Sequence, residues 1–225
     1  MKRKTAIYLG WSDVPVSAEV NKILRKTFDI RYSRHCGPGE KVDQGTLADL
    51  EVDFLFSFGP VIASRRLLDS LSVAAINFHT APPRWPGRGS VSFALFEGDR
   101  EFGVTAHLMT ENIDAGPILR VLRFPIRRDD SVETLHSRTL AQIPRLVETV
   151  VDNLAKNDWR VVPSREKWAR KALRRKDLLD LMQIHATDSA AVAARKIRAC
   201  AHPRKPGPYV VKHGRRFWYL ENRVS

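Results

Sequence analysis

Two short and nearly unbroken apolar runs constrain this chain more than any other feature. Val52–Phe58 is interrupted only by Asp53 and Ser57, and Val73–Phe78 is a second run of the same kind. Strands that are buried on both faces read this way, without polar alternation, and central strands of a parallel sheet are the usual case. The residues between them, Val61–Leu71, predict a crossover helix, because parallel neighbours need a long connection. Thr5–Leu9 and Phe28–Tyr32 read as two earlier strands. A helix over Val16–Thr27 separates them, with apolar residues at 16, 20, 23 and 24. Alternating strands and helices predict an α/β fold with a Rossmann-like, mostly parallel sheet and flanking helices.

The later chain adds to this frame. Residues 33–46 are polar with Gly and Pro and read as a loop. Gly98–Thr110 and Ile118–Phe124 read as strands, the second stopped by Pro125. Asp130 or Ser131 would cap one long helix running to about Lys156, with Glu133 or Thr134 near its third position. The character changes after Trp159. Lys167–Lys176 carries six basic residues in ten positions, Thr187 can cap a helix ending at Cys200, and Tyr209–Lys212 and Arg216–Leu220 flank a hairpin turn at His213-Gly214-Arg215. The expected division is a catalytic part, 1–158, and a basic C-terminal extension of helix and hairpin, 159–225.

Composition narrows the function classes. With 225 residues, 43% of them hydrophobic, the chain can bury a core. Cys36 and Cys200 stand apart from any metal-ligand spacing and read as reduced thiols. No apolar run has the length of a membrane span. The basic Met1–Lys4 is followed by only Ala6–Leu9, too short for a secretory core, so a cytoplasmic protein is expected. His79, His107, His136 and His185 lack ligand spacing, and no metal is expected. The net charge of +13 is uneven, at +2 over residues 1–150 and +11 over 151–225. A polyanionic partner and a solvated basic surface both fit that tail. The loop Gly10–Pro15 holds one glycine, which disfavours a dinucleotide site.

The chemistry concentrates in residues 76–119. Asn77 and His79 alternate near the carboxyl end of an apolar strand and so point to one side. An Asn amide can donate to a developing oxyanion, and a His titrates near neutrality. A carboxylate such as Asp114 can orient the imidazole. The set suits acyl transfer to an amine. Satisfied loop-edge polars and a turn-forming Asp are the plainer reading of the same residues.

The motifs Asn77-Phe78-His79 with the Pro/Gly-rich loop behind it, Gly98-Asp99, Gly103-Val104-Thr105 and Ile113-Asp114-Ala115-Gly116 resemble the signature of the folate-dependent formyltransferases. That family includes methionyl-tRNA, glycinamide ribonucleotide and nucleotide-sugar N-formyltransferases. The resemblance is close over 52–125 and weaker over most of the chain. It implies catalytic roles for Asn77, His79 and Asp114 and N10-formyltetrahydrofolate as donor. Folate contacts are implied along Ser57–Ile62, with Ser57, Phe58, Gly59 and Ile62, and along Glu111–Asp114, with Glu111, Asn112 and Ile113.

The loop Thr80-Ala81-Pro82-Pro83-Arg84-Trp85-Pro86-Gly87 departs from the Ser-Leu-Leu-Pro form of the tRNA and purine enzymes and is similar to the nucleotide-sugar enzymes. The implied acceptor is therefore a nucleotide-linked amino sugar, as in O-antigen or polysaccharide synthesis, met by Arg84, Trp85, Gly87 and Arg88. Trp85 would stack on the base, and the two arginines would pair with phosphate. A homodimer fits this reading. A short methionyl-tRNA formyltransferase is the alternative enzyme. A nucleic-acid-binding protein on an inactive fold is the alternative class, with Trp159, Trp168, Phe217 and Trp218 as its aromatic candidates.

Overall fold

The computed structural model describes residues 3–203 and 206–219. Its main sheet holds β1 (Thr5–Trp11), β2 (Asp29–Cys36), β3 (Phe54–Phe58), β4 (Ala74–His79), β5 (Glu101–Leu108) and β6 (Ile118–Pro125) in the order β2-β1-β3-β4-β5-β6. β1 pairs parallel with β2 and β3, and β3 with β4. β5 and β6 then join antiparallel. Every residue of β3 is buried, which explains an apolar run broken there only by Ser57.

Each sheet face has its own cover. Tyr8, Phe54, Phe56, Ile76, Phe78 and Val104 pack under α1 (Val16–Thr27) and α6 (Ile143–Lys156). α6 turns six buried residues inward, Ile143, Leu146, Val147, Val150, Val151 and Leu154. Each contributes roughly 1.5–3 kcal/mol relative to exposure. Val147→Asp would put an unpaired carboxylate there and break the packing. On the other face Ile7, Leu9, Leu55 and Ala75 pack with α2 (Gln44–Ala48) and α3 (Arg65–Asp69).

A third cluster includes Trp85, Phe102, Leu135, Leu181, Ala199 and Tyr209. It joins α4 (Ser90–Glu97) and α5 (Val132–Leu140) to α7 (Arg175–Met182) and α8 (Ala190–Cys200), and so draws on both sides of residue 158. The hairpin of β7 (Tyr209–Lys212) and β8 (Arg215–Trp218) turns at His213 and Gly214, both at positive φ. Leu220, expected in the second strand, lies outside the described residues.

Several expected boundaries move. The crossover helix shrinks to α3, opened by the Ser64 hydroxyl. β2 runs on through residues 33–36, and Asp43 caps α2 within the expected loop. Phe28 ends α1 and turns its ring into the core rather than starting β2. The single helix expected to Lys156 is two, because Pro144 opens α6 and cannot continue α5. Ser131 caps α5 with Thr134 completing the box, while Asp130 accepts from the Arg127 N–H and from Arg138. Ser189, not Thr187, caps α8. No helix among the described residues is long and apolar enough to cross a membrane.

Candidate active site

The second sheet face changes character along β4. Ala75 belongs to the apolar cluster, but Asn77 and His79 follow on the same side. Register sets them opposite His107 and Thr105 of β5. Four polar side chains therefore share one patch, and Asp114 closes it from the loop after β5. The Asp114 carboxylate lies 3.3 Å from His79 Nδ1 through Oδ2 and 3.3 Å from His107 Nε2 through Oδ1. Asn77 Nδ2 is 3.1 Å from His107 Nε2.

The partners constrain the protons. His79 Nε2 is 3.1 Å from the Trp85 carbonyl, which can only accept, so Nε2 carries a hydrogen. His107 Nδ1 faces the Leu108 carbonyl at 2.8 Å and must donate there. In neutral His107 the Nε2 lone pair is left to receive one Asn77 N–H, and the second Asn77 N–H remains for a ligand. Between a neutral His79 Nδ1 and an ionised Asp114 two lone pairs face each other, which leaves a place for one further proton. The four side chains thus form one polar cluster, with a proton-accepting pair at His79–Asp114 and a free donor at Asn77.

Burial pushes His79 below the ordinary imidazole value, with the neighbouring His107 adding to that and Asp114 and the Trp85 carbonyl opposing it. Burial alone would raise Asp114. The two imidazoles and the Gly87 N–H outweigh it and hold the carboxyl below its usual range.

Close backbone approaches fix this geometry. Asp114 itself sits at φ 44°, a left-handed conformation that Asp tolerates better than most residues. The Gly87 N–H donates to Asp114 Oδ2 at 2.7 Å. A Cβ on Gly87 would meet the Leu173 carbonyl oxygen at 2.2 Å, and φ there is +87°. The loop 80–88 is anchored by Thr105 Oγ1–H, which donates to the Ala81 carbonyl at 2.7 Å.

The expected contact residues differ in exposure. Ile62 and Ile113 are half exposed, at 54% and 50%, and offer apolar surface to a flat ring. Glu111 and Asn112 are exposed. Ser57 and Phe58 are sealed in the sheet, and the Ser57 hydroxyl is buried without a hydrogen-bond partner. These two side chains build the strand end and are closed to a ligand, which leaves only their backbone groups for the expected folate contact. Gly59 packs against the Gly10 backbone, its missing Cβ 3.1 Å from that carbonyl oxygen.

Trp85 is a correction to the expected contacts. It is fully buried, donates from Nε1 to Asp99 at 2.6 Å and stacks on Phe93, so it has no free face for a base. Arg84 and Arg88 are exposed as expected. In the sequence His107 has no part in this site, and Trp168 is only an aromatic candidate of the nucleic-acid alternative. Only the alternation of Val104–His107 hinted that His107 shares a side with Thr105, and the pairing with Asn77 needs the sheet.

A family model described as formyl transferase matches residues 18–151. That is more than half of the chain and includes Asn77, His79 and Asp114. The chain belongs to the formyl transferase family. Among its relatives, a methionyl-tRNA formyltransferase from Janthinobacterium sp. (strain Marseille) is 29% identical over 190 residues, covering 83% of this chain and 56% of that protein. The chain thus spans little more than half the length of that relative.

Solved structures share the fold at lower identity. A 4-N formyltransferase from Francisella tularensis superposes with a TM-score of 0.77 at 18% identity, covering 97% of each chain. An N-formyltransferase from Helicobacter canadensis, in complex with folinic acid and dTDP-3-aminofucose, has a TM-score of 0.64 at 15% identity over 88% of this chain and 80% of that one. The polar patch on β4 and β5 lies within the residues that match the formyl transferase family.

Proposed function

We propose that this chain transfers a formyl group from N10-formyltetrahydrofolate to the amine of a nucleotide-linked amino sugar. The observation that carries the reading is the cluster in which a free Asn77 amide N–H stands beside His107 and the His79–Asp114 pair. The neutral acceptor amine attacks the formyl carbon, and the free Asn77 N–H stabilises the oxyanion of the tetrahedral intermediate. The nitrogen then loses a proton to the His79–Asp114 pair, whose imidazole burial holds in the neutral form that can receive it. The C–N10 bond breaks, N10 takes up a proton, and the products are the formamide and tetrahydrofolate.

The donor reading is supported by the family and by the half-exposed Ile62 and Ile113, which we assign with Gly59, Glu111 and Asn112 to the folate side. Arg84 and Arg88, exposed on the loop that carries the His79 contact, suit an acceptor diphosphate. The sugar reading is supported by the likeness to the Helicobacter enzyme, whose structure holds folinic acid and dTDP-3-aminofucose. The division into 1–158 and 159–225 belongs to the proposal, with the extension closing the site, as do a cytoplasmic setting and a role in polysaccharide synthesis.

The test is a mass shift of one formyl group across a panel of nucleotide amino sugars supplied with the folate donor. A small acceptor should be formylated with modest salt sensitivity. Efficient formylation of charged initiator tRNA alone, with the steep salt dependence of many phosphate contacts, would replace this reading with the tRNA one.

A further inference from the structure

The segment after α6 does not leave the site. Residues 160–174 run back across it as a strap, beyond the 18–151 matched by the family model. The Ser164 N–H donates to the Ile118 carbonyl at 2.7 Å, and Arg123 makes two bonds to Glu166 at 2.7 and 2.8 Å. Further on, the Ala169 N–H donates to Pro83 at 3.1 Å. The Leu173 N–H donates to Pro86, and the Arg88 N–H to Leu173, both at 2.9 Å. At the middle of this strap stands Trp168.

Trp168 is an aromatic residue in a polar stretch, with Lys167, Ala169 and Arg170 exposed around it. It belongs to none of the three apolar clusters. Its described ring neighbours are the two imidazoles. The ring centroid is 5.9 Å from that of His79 and 5.1 Å from that of His107, edge-on to both. Its Nε1–H donates to the Gly116 carbonyl at 2.8 Å, two residues past the left-handed Asp114. One indole therefore covers both histidines and pins the turn that aims the carboxylate between them.

We infer that Trp168 is a positioning residue of the reaction centre, which shields the His79–Asp114–His107 cluster from water and fixes the Asp114 turn. This rests on the formyl-transfer reading for its role in turnover but not for its effect on the cluster. The titratable groups facing His79 are Asp114 and His107, and the strap brings Arg170, whose guanidinium lies 4.2 Å over the Trp85 ring. Burial lowers His79, so admitting water should raise it toward the ordinary imidazole value.

The test titrates the histidine Cε1 protons by NMR in the wild type, Trp168→Phe and Trp168→Ala, with the His79 signal assigned by its loss in His79→Asn. Trp168→Ala should move the His79 midpoint upward, while Trp168→Phe, which keeps an aromatic cover, should hold it near wild type. In the formylation assay kcat/KM of Trp168→Ala should fall about tenfold at pH 6 and about twofold at pH 8, since the neutral imidazole is the competent form. Trp168→Leu replaces Trp168→Ala should the latter not fold. Variants that melt earlier yet leave both the His79 midpoint and the acid limb unmoved would overturn the inference. A wild type without formyl transfer would sink the proposed function and leave the titration to decide this one.

Discussion

Replacing Trp85 by Phe separates a core residue from a surface stacking ring. The indole is fully buried, stacks on Phe93 at 5.7 Å between centroids and donates to Asp99. A hydrogen bond to a charged group contributes about 1.5–3 kcal/mol. The smaller phenyl ring leaves a void that adds about 1 kcal/mol. The expected loss is about 2–4 kcal/mol, within the total stability of a typical domain. At about 2–4 °C per kcal/mol for a chain of this size, the melting temperature should fall by about 4–16 °C. Thermal unfolding by circular dichroism reads this directly. Asp99→Asn completes a double-mutant cycle, in which the coupling should be positive and comparable to the bond. The Trp85 carbonyl also holds His79, so turnover should fall along with stability. An unchanged melting temperature with only the acceptor KM raised would refute the reasoning and restore a stacking role.

Three further predictions follow from the site and its supports. Asn77→Ala should cost about 10²–10³ in turnover with little change in melting temperature, as loss of an oxyanion donor does, and steady-state kinetics beside thermal unfolding would check it. Gly87→Ala should destabilise the chain and abolish most formyl transfer, since its Cβ collides with Leu173 and the loop must give up its N–H to Asp114. Differential scanning calorimetry and single-turnover assays together would show whether the two losses coincide. Asp53 concerns pH. Burial would raise its carboxyl, but Lys4 and Thr5 outweigh that and lower it. Its stabilisation, about 1–2 kcal/mol, is therefore present above the unfolded carboxylate value near 3.9 and lost as pH falls through the lower folded value. Urea unfolding of Asp53→Asn against wild type should show a gap at pH 6 that closes below about pH 4.

The sequence alone determined the α/β class. Strands such as Phe54–Phe58 are buried on both faces and are apolar but for Ser57, while α1 must keep one stripe dry, and both patterns are local. Asn77 and His79 were legible for the same reason, since a strand alternates sides whatever it pairs with. Asp114 was legible through the spaced motifs of a family. The antiparallel reversal of β5 and β6 was not, because strand direction depends on which end of β4 the chain returns to. The break between α5 and α6 has a local mark in Pro144, but the apolar periodicity runs across it. Trp85 read as a surface ring because a Pro-rich loop looks exposed, yet its burial depends on Phe93, Asp99 and Arg170 arriving from elsewhere in the chain. His107 meets Asn77 only through pairing across 30 residues, and Trp168 reaches both histidines only because the strap folds back. Such contacts join residues far apart in sequence, where no local periodicity records them, and the tertiary structure decides them.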